Sequence, residues 1–191
     1  MPNIIGDNIY LRDYRMDDVE AVHRWRGLSE ITWWTAAYLW PESLEQTRAF
    51  IQAQVEDVDP QNRKFAICRL DDDRYVGHIG YESLQLRRRN TELGISIGEP
   101  EYLSKGIGTE AIGLFLSICF EELGLHRVGL RVLRDNKRGV RCYEKSGFNM
   151  EGAMRDFYYS QGRWHDLLIM SILEDEYRAL GRSARRDIVS Y

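Results

Sequence analysis

Three short stretches of the 191-residue chain combine residue types that can do chemistry. Lys105-Gly106-Ile107-Gly108-Thr109 directly follows an alternating segment and opens the most apolar periodic run in the sequence. A helix that starts there leaves backbone N–H groups unpaired and carries a partial positive charge at its end, and two glycines let a pyrophosphate approach the main chain. The spacing is not that of a Walker loop, G-x-x-x-x-G-K-[ST], and the third glycine of a dinucleotide fingerprint is missing. Glycines that merely ease a strand-to-helix turn are the plain alternative. Asn136 and Tyr143 stand seven residues apart, two helical turns, so both can face one extended ligand. Asn136 is equally suited to start a helix, and Tyr143 to pack as a buried aromatic. The third stretch, Ile31 to Trp40, is dense in aromatics; Trp33, Trp34 and Tyr38 are candidates to contact an acceptor, with core packing as the competing role.

The elements that must position these residues can be read from periodicity. Asn8 to Asp13 alternates as a first strand, Met16 to Gly27 has helical spacing, and Ser43 with Glu45 and Gln46 starts a second helix running to Val55. Phe65 to Leu70 and Tyr75 to Leu84 flank the turn-forming Asp71 to Arg74, and Thr91 to Ile97 alternates as a further strand of the same meander. After the glycine-rich turn come a helix to Leu123, a strand at Arg127 to Leu133 and a helix at Asn136 to Ser146, a run that makes its flanking strands parallel. Asn149 to Tyr158 and Arg163 to Leu173 form a closing hairpin around Ser160 to Gly162. The expected fold is α/β (α+β): one domain over residues 1–181 with a central mixed, mostly antiparallel sheet and flanking helices, followed by a tail at 182–191.

Leu103-Ser104-Lys105-Gly106-Ile107-Gly108 resembles the coenzyme motif Q/R-x-x-G-x-G/A of the GNAT N-acetyltransferases, with Leu103 in place of Gln or Arg. Asn136 to Phe148, N-K-R-G-V-R-C-Y-E-K-S-G-F, is similar to the N-x-x-A-x-x-x-Y-E-K-x-G-F pattern of the ribosomal-protein (RimJ/RimL-like) branch, with Gly139 in place of alanine. Together with Tyr10-Leu11-Arg12 and Thr91 to Ile95, the resemblance covers nearly the whole chain in order. It implies acetyl-coenzyme A as co-substrate, held by Ile95, Ser96, Ile97, Leu103, Ser104, Lys105, Gly106, Ile107, Gly108, Thr109 and Asn136. It implies fourth and fifth strands that splay apart to admit pantetheine, oxyanion donors at Ile95 to Ile97, and Tyr143 as the acid that protonates the departing thiolate. Glu92 is the leading candidate for general base, with an ion pair to Arg88 or Arg89 as its structural alternative; His78 and Glu82 rank below it.

Direct attack by a primary amine in a ternary complex follows, with a protein N-terminal α-amine as the expected acceptor. The alternatives are a small amine, such as a polyamine or amino sugar, and a catalytically silent coenzyme-A sensor. Cys142 has no sequence-local histidine and is a poor nucleophile candidate. Cys68, Cys119 and Cys142 have no metal-ligand spacing, and no metal is expected. A net charge of −4 gives no general affinity for nucleic acid, and Arg87 to Arg89 is read as a solvated turn. The longest apolar stretch, Ile112 to Phe120, is far short of a membrane span, so a cytoplasmic monomer or homodimer is expected, with no membrane partner.

Overall fold

The computed structural model describes residues 3–35 and 40–181. Among these residues eight strands form one sheet: β1 (Ile4–Ile5), β2 (Ile9–Asp13), β3 (Lys64–Arg69), β4 (Tyr75–Gln85), β5 (Asn90–Ile97), β6 (Arg127–Leu133), β7 (Asn149–Ser160) and β8 (Arg163–Leu173), in spatial order β1-β2-β3-β4-β5-β6-β8-β7. β1 to β5 are an antiparallel meander, and β8 lies antiparallel between β6 and β7. The single parallel contact among the described residues, β5 with β6, is joined through a helix, the kind of crossover that a parallel pair needs.

Among the described residues, six α-helices flank the sheet: α1 (Val19–Arg26), α2 (Ser29–Thr35), α3 (Leu44–Val55), α4 (Ile107–Ser117), α5 (Lys137–Lys145) and α6 (Glu174–Ala179). α3 begins at the expected capping box, in which the Ser43 side chain accepts from the Gln46 N–H and Gln46 returns a bond to the Ser43 N–H. α4 buries Ala111, Ile112, Phe115 and Leu116 against Ile9, Leu11, Phe65, Ile79 and Leu93 of the sheet. Burying apolar surface at about 25 cal/mol per Å² makes this the main source of stability. A second cluster, Tyr14, Val19, Val22, Trp25 and Ile51, seats α1 and α3.

α2 occupies part of the aromatic stretch, β1 precedes the first expected strand, and α6 follows the last; none of the three was expected from periodicity. Arg87–Arg89 does form a turn: a single 3-10 turn covers Leu86–Arg88, and Arg89 takes a left-handed conformation, φ 52°, from which its guanidinium donates to the Gly124 carbonyl and pairs with Glu174. The tail at 182–191 and Tyr38 lie outside the described residues. Among those described, no helix is long and apolar enough to cross a membrane, and no cluster of three or more His, Cys, Asp or Glu could hold a metal.

Candidate active site

β5 and β6 are in register only at Asn90, Thr91 and Glu92, opposite Arg127, Val128 and Gly129. β5 runs on to Ile97 and β6 to Leu133, so the strands part after Glu92. The gap opens a cavity of about 630 Å³ lined by residues 92–97 of β5, the start of α4 and one face of α5. Beyond the parting, the backbone groups of β5 that face β6 have no ladder partner there and must be satisfied by solvent or a ligand.

One half of this cavity is built from main chain. Gly106 caps α4 in a left-handed conformation, φ 88°, and a Cβ placed on it would meet nothing within 4 Å. Glycine is therefore needed for the backbone, and the space beside it is open to an approaching group. Gly108 faces α5: a Cβ there would lie 3.4 Å from the Cys142 Sγ, about the distance of an ordinary contact, so α4 and α5 lie side by side at this point. Leu103, Ser104, Gly106, Gly108 and Thr109 line the cavity with Ile95, Ser96 and Ile97. Two residues of the expected motif do not. Ile107 is buried in the core, and the Lys105 ammonium lies 5.7 Å from the Tyr102 ring centre.

α5 closes this half. Asn136 lines the cavity, but its Oδ1 is engaged in capping the helix and accepts from the Gly139 N–H at 2.9 Å. Capping and ligand contact therefore compete for one side chain, of which the amide nitrogen remains. Arg138, Arg141 and Lys145 also line the cavity, a cationic stripe that the sequence reading did not single out although the spacing 138, 141, 145 places it on one helix face. Tyr143 is half-buried beside the same space with its ring edge-on to Phe148. Burial pushes its phenol up from the usual range, with Cys142 and Glu82 adding to the effect, so it is protonated at neutral pH. Burial likewise pushes the Cys142 thiol up, against a hydrogen bond from Thr109, which keeps it in the poorly nucleophilic form.

The other half is built from side chains of β3, β4, β5, α1 and α2. Glu92 lines the cavity, yet its carboxylate accepts from Arg131 at 2.9 and 3.0 Å. Its cation comes from β6 rather than from Arg88 or Arg89. Directly opposite in register is Glu82, paired with Lys64 at 3.1 Å and lying across Gly94, where any Cβ would sit 2.3 Å from the Glu82 Oε1. Two like charges facing each other across strands are unfavourable, and each is offset by its own cation. His78 completes this wall: it lines the cavity, and its Nδ1 is buried with no hydrogen-bond partner among the described residues. Burial, with Lys64 and Arg26 adding, pushes its imidazole down to about 3.

Trp34, Ile31 and Thr32 bring α2 to the cavity. Trp33 turns elsewhere, its ring 5.4 Å from that of His165 and edge-on to it. α1 is pressed against the end of β5: the Trp25 indole donates to Glu99 at 3.0 Å, and a Cβ on Gly98 would fall 1.9 Å from the Trp25 ring.

Known proteins share this arrangement. Residues 8–149 match the acetyltransferase (GNAT) domain. An uncharacterized N-acetyltransferase of Bacillus subtilis, YoaA, is 30% identical over 91% of this chain and 97% of its own length. A putative ribosomal N-acetyltransferase of the same organism, YdaF, is 35% identical over 56% of this chain and 58% of its own. Among solved structures, spermidine N-acetyltransferase from Vibrio cholerae, in complex with CoA and spermine, superposes with a TM-score of 0.80 at 25% identity, covering 89% of this chain and 98% of that one. With a family match over most of its length and a sheet that parts above a glycine-started helix, the chain belongs to the GNAT acetyltransferases.

Proposed function

We propose that this acetyltransferase moves the acetyl group of acetyl-coenzyme A to a primary amine of a small polyamine. The observation that carries the reading is the parting of β5 from β6 between the open N-terminus of α4 and Tyr143. The residues fit an extended, anionic thioester. Unpaired N–H groups at the first turn of α4 suit a pyrophosphate, and Arg138, Arg141 and Lys145 lie close by for further phosphate charge. The freed edge of β5 suits an amide-bearing arm. Coenzyme A supplies an activated acyl group; the rest falls to the chain. Main-chain N–H groups at Ile95 to Ile97 stabilise the oxyanion as the amine adds to the carbonyl. Tyr143 donates its proton to the sulfur as the C–S bond breaks.

Polyamine is favoured over a protein N-terminus by the comparisons. Spermidine enzymes align along most of this chain, at 25% identity over 90% of it for the Escherichia coli enzyme and with a TM-score of 0.80 for the Vibrio cholerae one, whereas the ribosomal relatives are a 108-residue match and a structural neighbour at 21% identity. The site itself imposes a condition on such an acceptor: Glu82 and Glu92 are already paired with Lys64 and Arg131, so a bound polycation must share or displace those cations.

The test is acceptor-dependent release of free coenzyme A with spermidine, spermine, an amino sugar and a peptide bearing a free α-amine. Turnover with the polyamines at a kcat/KM well above that of the peptide is expected. Preference for the peptide returns the acceptor to a protein N-terminus.

A further inference from the structure

We infer that the imidazole of His78 is a catalytic residue that accepts the hydrogen bond of the attacking amine and takes its proton as the C–N bond forms. The inference rests on the amine-acetylation reading and names the group that the reading lacks.

Glu92 and Glu82 both line the cavity, and both carboxylates are engaged with cations. His78 differs in having a buried ring nitrogen, Nδ1, that no group among the described residues satisfies. A histidine kept for structure in this same fold looks different: His165 is 3% exposed, and both of its ring nitrogens are bonded, to Asp135 at 2.9 Å and to the Ser160 carbonyl at 3.3 Å. Buried polar groups are almost always paired, so an unpaired one in a side chain that lines a cavity sets that side chain apart from one kept for structure. No hydrogen bond among the described residues fixes the tautomer of His78, and the ring can keep its proton on the enclosed Nδ1 and present Nε2 as the bare nitrogen to an N–H donor.

The groups around the ring favour that form. Lys64 from β3 and Arg26 from α1 are the nearby cations, the Tyr14 ring stands 6.3 Å away, and Ser96 of β5 is its cross-strand partner. Burial and the two cations keep the imidazole neutral, hence an acceptor, down to about pH 3. So weak a base does not deprotonate the substrate ammonium, whose pKa is about 10; the amine that attacks is the free-base fraction, which has already lost that proton to solvent. Its moment comes later. As the nitrogen spends its lone pair on the carbonyl carbon, its N–H turns acidic. The imidazole takes that proton and releases it to water, the C–S bond breaks, and the thiolate receives the phenolic proton of Tyr143, which solvent restores.

The experiment compares wild type, His78→Leu and His78→Asn with spermidine as acceptor. It follows coenzyme A release, acetyl-coenzyme A affinity and the imidazole 15N resonances of the four histidines during a spermidine titration. Loss of a positioned proton acceptor lowers rates by about 10² to 10⁴. His78→Leu is expected to lose kcat/KM in that range at unchanged acetyl-coenzyme A affinity. His78→Asn, which keeps an acceptor oxygen of similar reach, recovers part of it, and the His78 resonance shifts on titration. A His78→Leu enzyme as fast as a competent wild type, or a His78 resonance that stays fixed at saturating spermidine, overturns the inference alone. A wild type that binds acetyl-coenzyme A and acetylates no amine overturns the functional reading and the inference with it.

Discussion

The two halves of the cavity solve different problems with different materials. The wall formed by α4 and the free edge of β5 is main chain: a left-handed Gly106, unpaired N–H groups and a strand that has lost its neighbour. The facing wall is side chains from distant segments: Glu82 against Lys64, Glu92 against Arg131, and His78 among them. A main-chain cradle recognises what every acyl-coenzyme A shares and resists substitution. A side-chain wall changes one residue at a time, so acceptor choice can drift while the donor stays the same. Changes at the chemical centre or on the facing wall should therefore act on kcat and on acceptor dependence, and changes in the cradle on KM for the donor.

The largest effect is expected where the halves meet. Tyr143→Phe should lower kcat by about 10² to 10⁴ with donor affinity nearly unchanged, because it removes a proton donor and no binding surface. Coenzyme A release together with calorimetric titration of the donor checks it. An unimpaired Phe variant would mean that the thiolate leaves without help from this phenol.

Acid should expose the facing wall next. His78 is held neutral to about pH 3 in the folded protein, whereas an unfolded histidine protonates near 6.5. The unfolded chain therefore binds more protons in this window. The contribution is intact above pH 6.5 and is lost progressively as pH falls toward 3, by up to a few kcal/mol. Urea unfolding of wild type and His78→Leu across that range should give a flatter dependence for the variant; parallel curves would mean that the ring is not held neutral.

In the cradle, Gly106→Val should raise KM for acetyl-coenzyme A by roughly 10- to 100-fold and leave kcat at saturation nearly intact. A non-glycine residue at φ 88° costs on the order of 1–3 kcal/mol, and its side chain would occupy the open space beside the cap. A fall in kcat with constant KM would place the effect on chemistry and break the division between the halves. Smaller still, Glu92→Gln removes one side of an exposed pair worth less than about 1 kcal/mol, and kcat/KM should stay within about threefold. A hundredfold loss would reinstate Glu92 as the base.

The same division explains what could be read in advance. A main-chain cradle demands glycines at fixed spacing ahead of a helix, and Gly106 and Gly108 announced it; the alternation of Thr91 to Ile97 announced the strand beside it. The facing wall leaves no such mark. The partner of Glu92 is Arg131, thirty-nine residues further along, and only the adjacency of β5 and β6 brings it there. His78 ranked low because a histidine in a strand is usually bonded, and its missing partner exists only once Tyr14, Lys64 and Arg26 are packed around it. Trp33 and Trp34 are neighbours in sequence with different duties, since adjacent helical positions point about 100° apart: Trp34 faces the cavity and Trp33 faces His165. α6 did carry a readable start, Glu174-Asp175-Glu176 in its first turn, and its shortness concealed it.

The smallest effect tests how cap and cradle share Asn136. The family pattern carries alanine where this chain has Gly139, and a Cβ there would sit 2.8 Å from the Asn136 Nδ2 and 3.0 Å from its Cγ. Gly139→Ala should therefore push the Asn136 side chain off the Gly139 N–H. A lost cap costs about 1 kcal/mol, and alanine within a helix returns about 0.5–1 kcal/mol over glycine, so the melting temperature should barely move. The released amide would be free for the donor, and KM for acetyl-coenzyme A should fall a few-fold. An unchanged KM with lower stability would show that Asn136 serves the helix alone, leaving main chain as the whole of the cradle at that point.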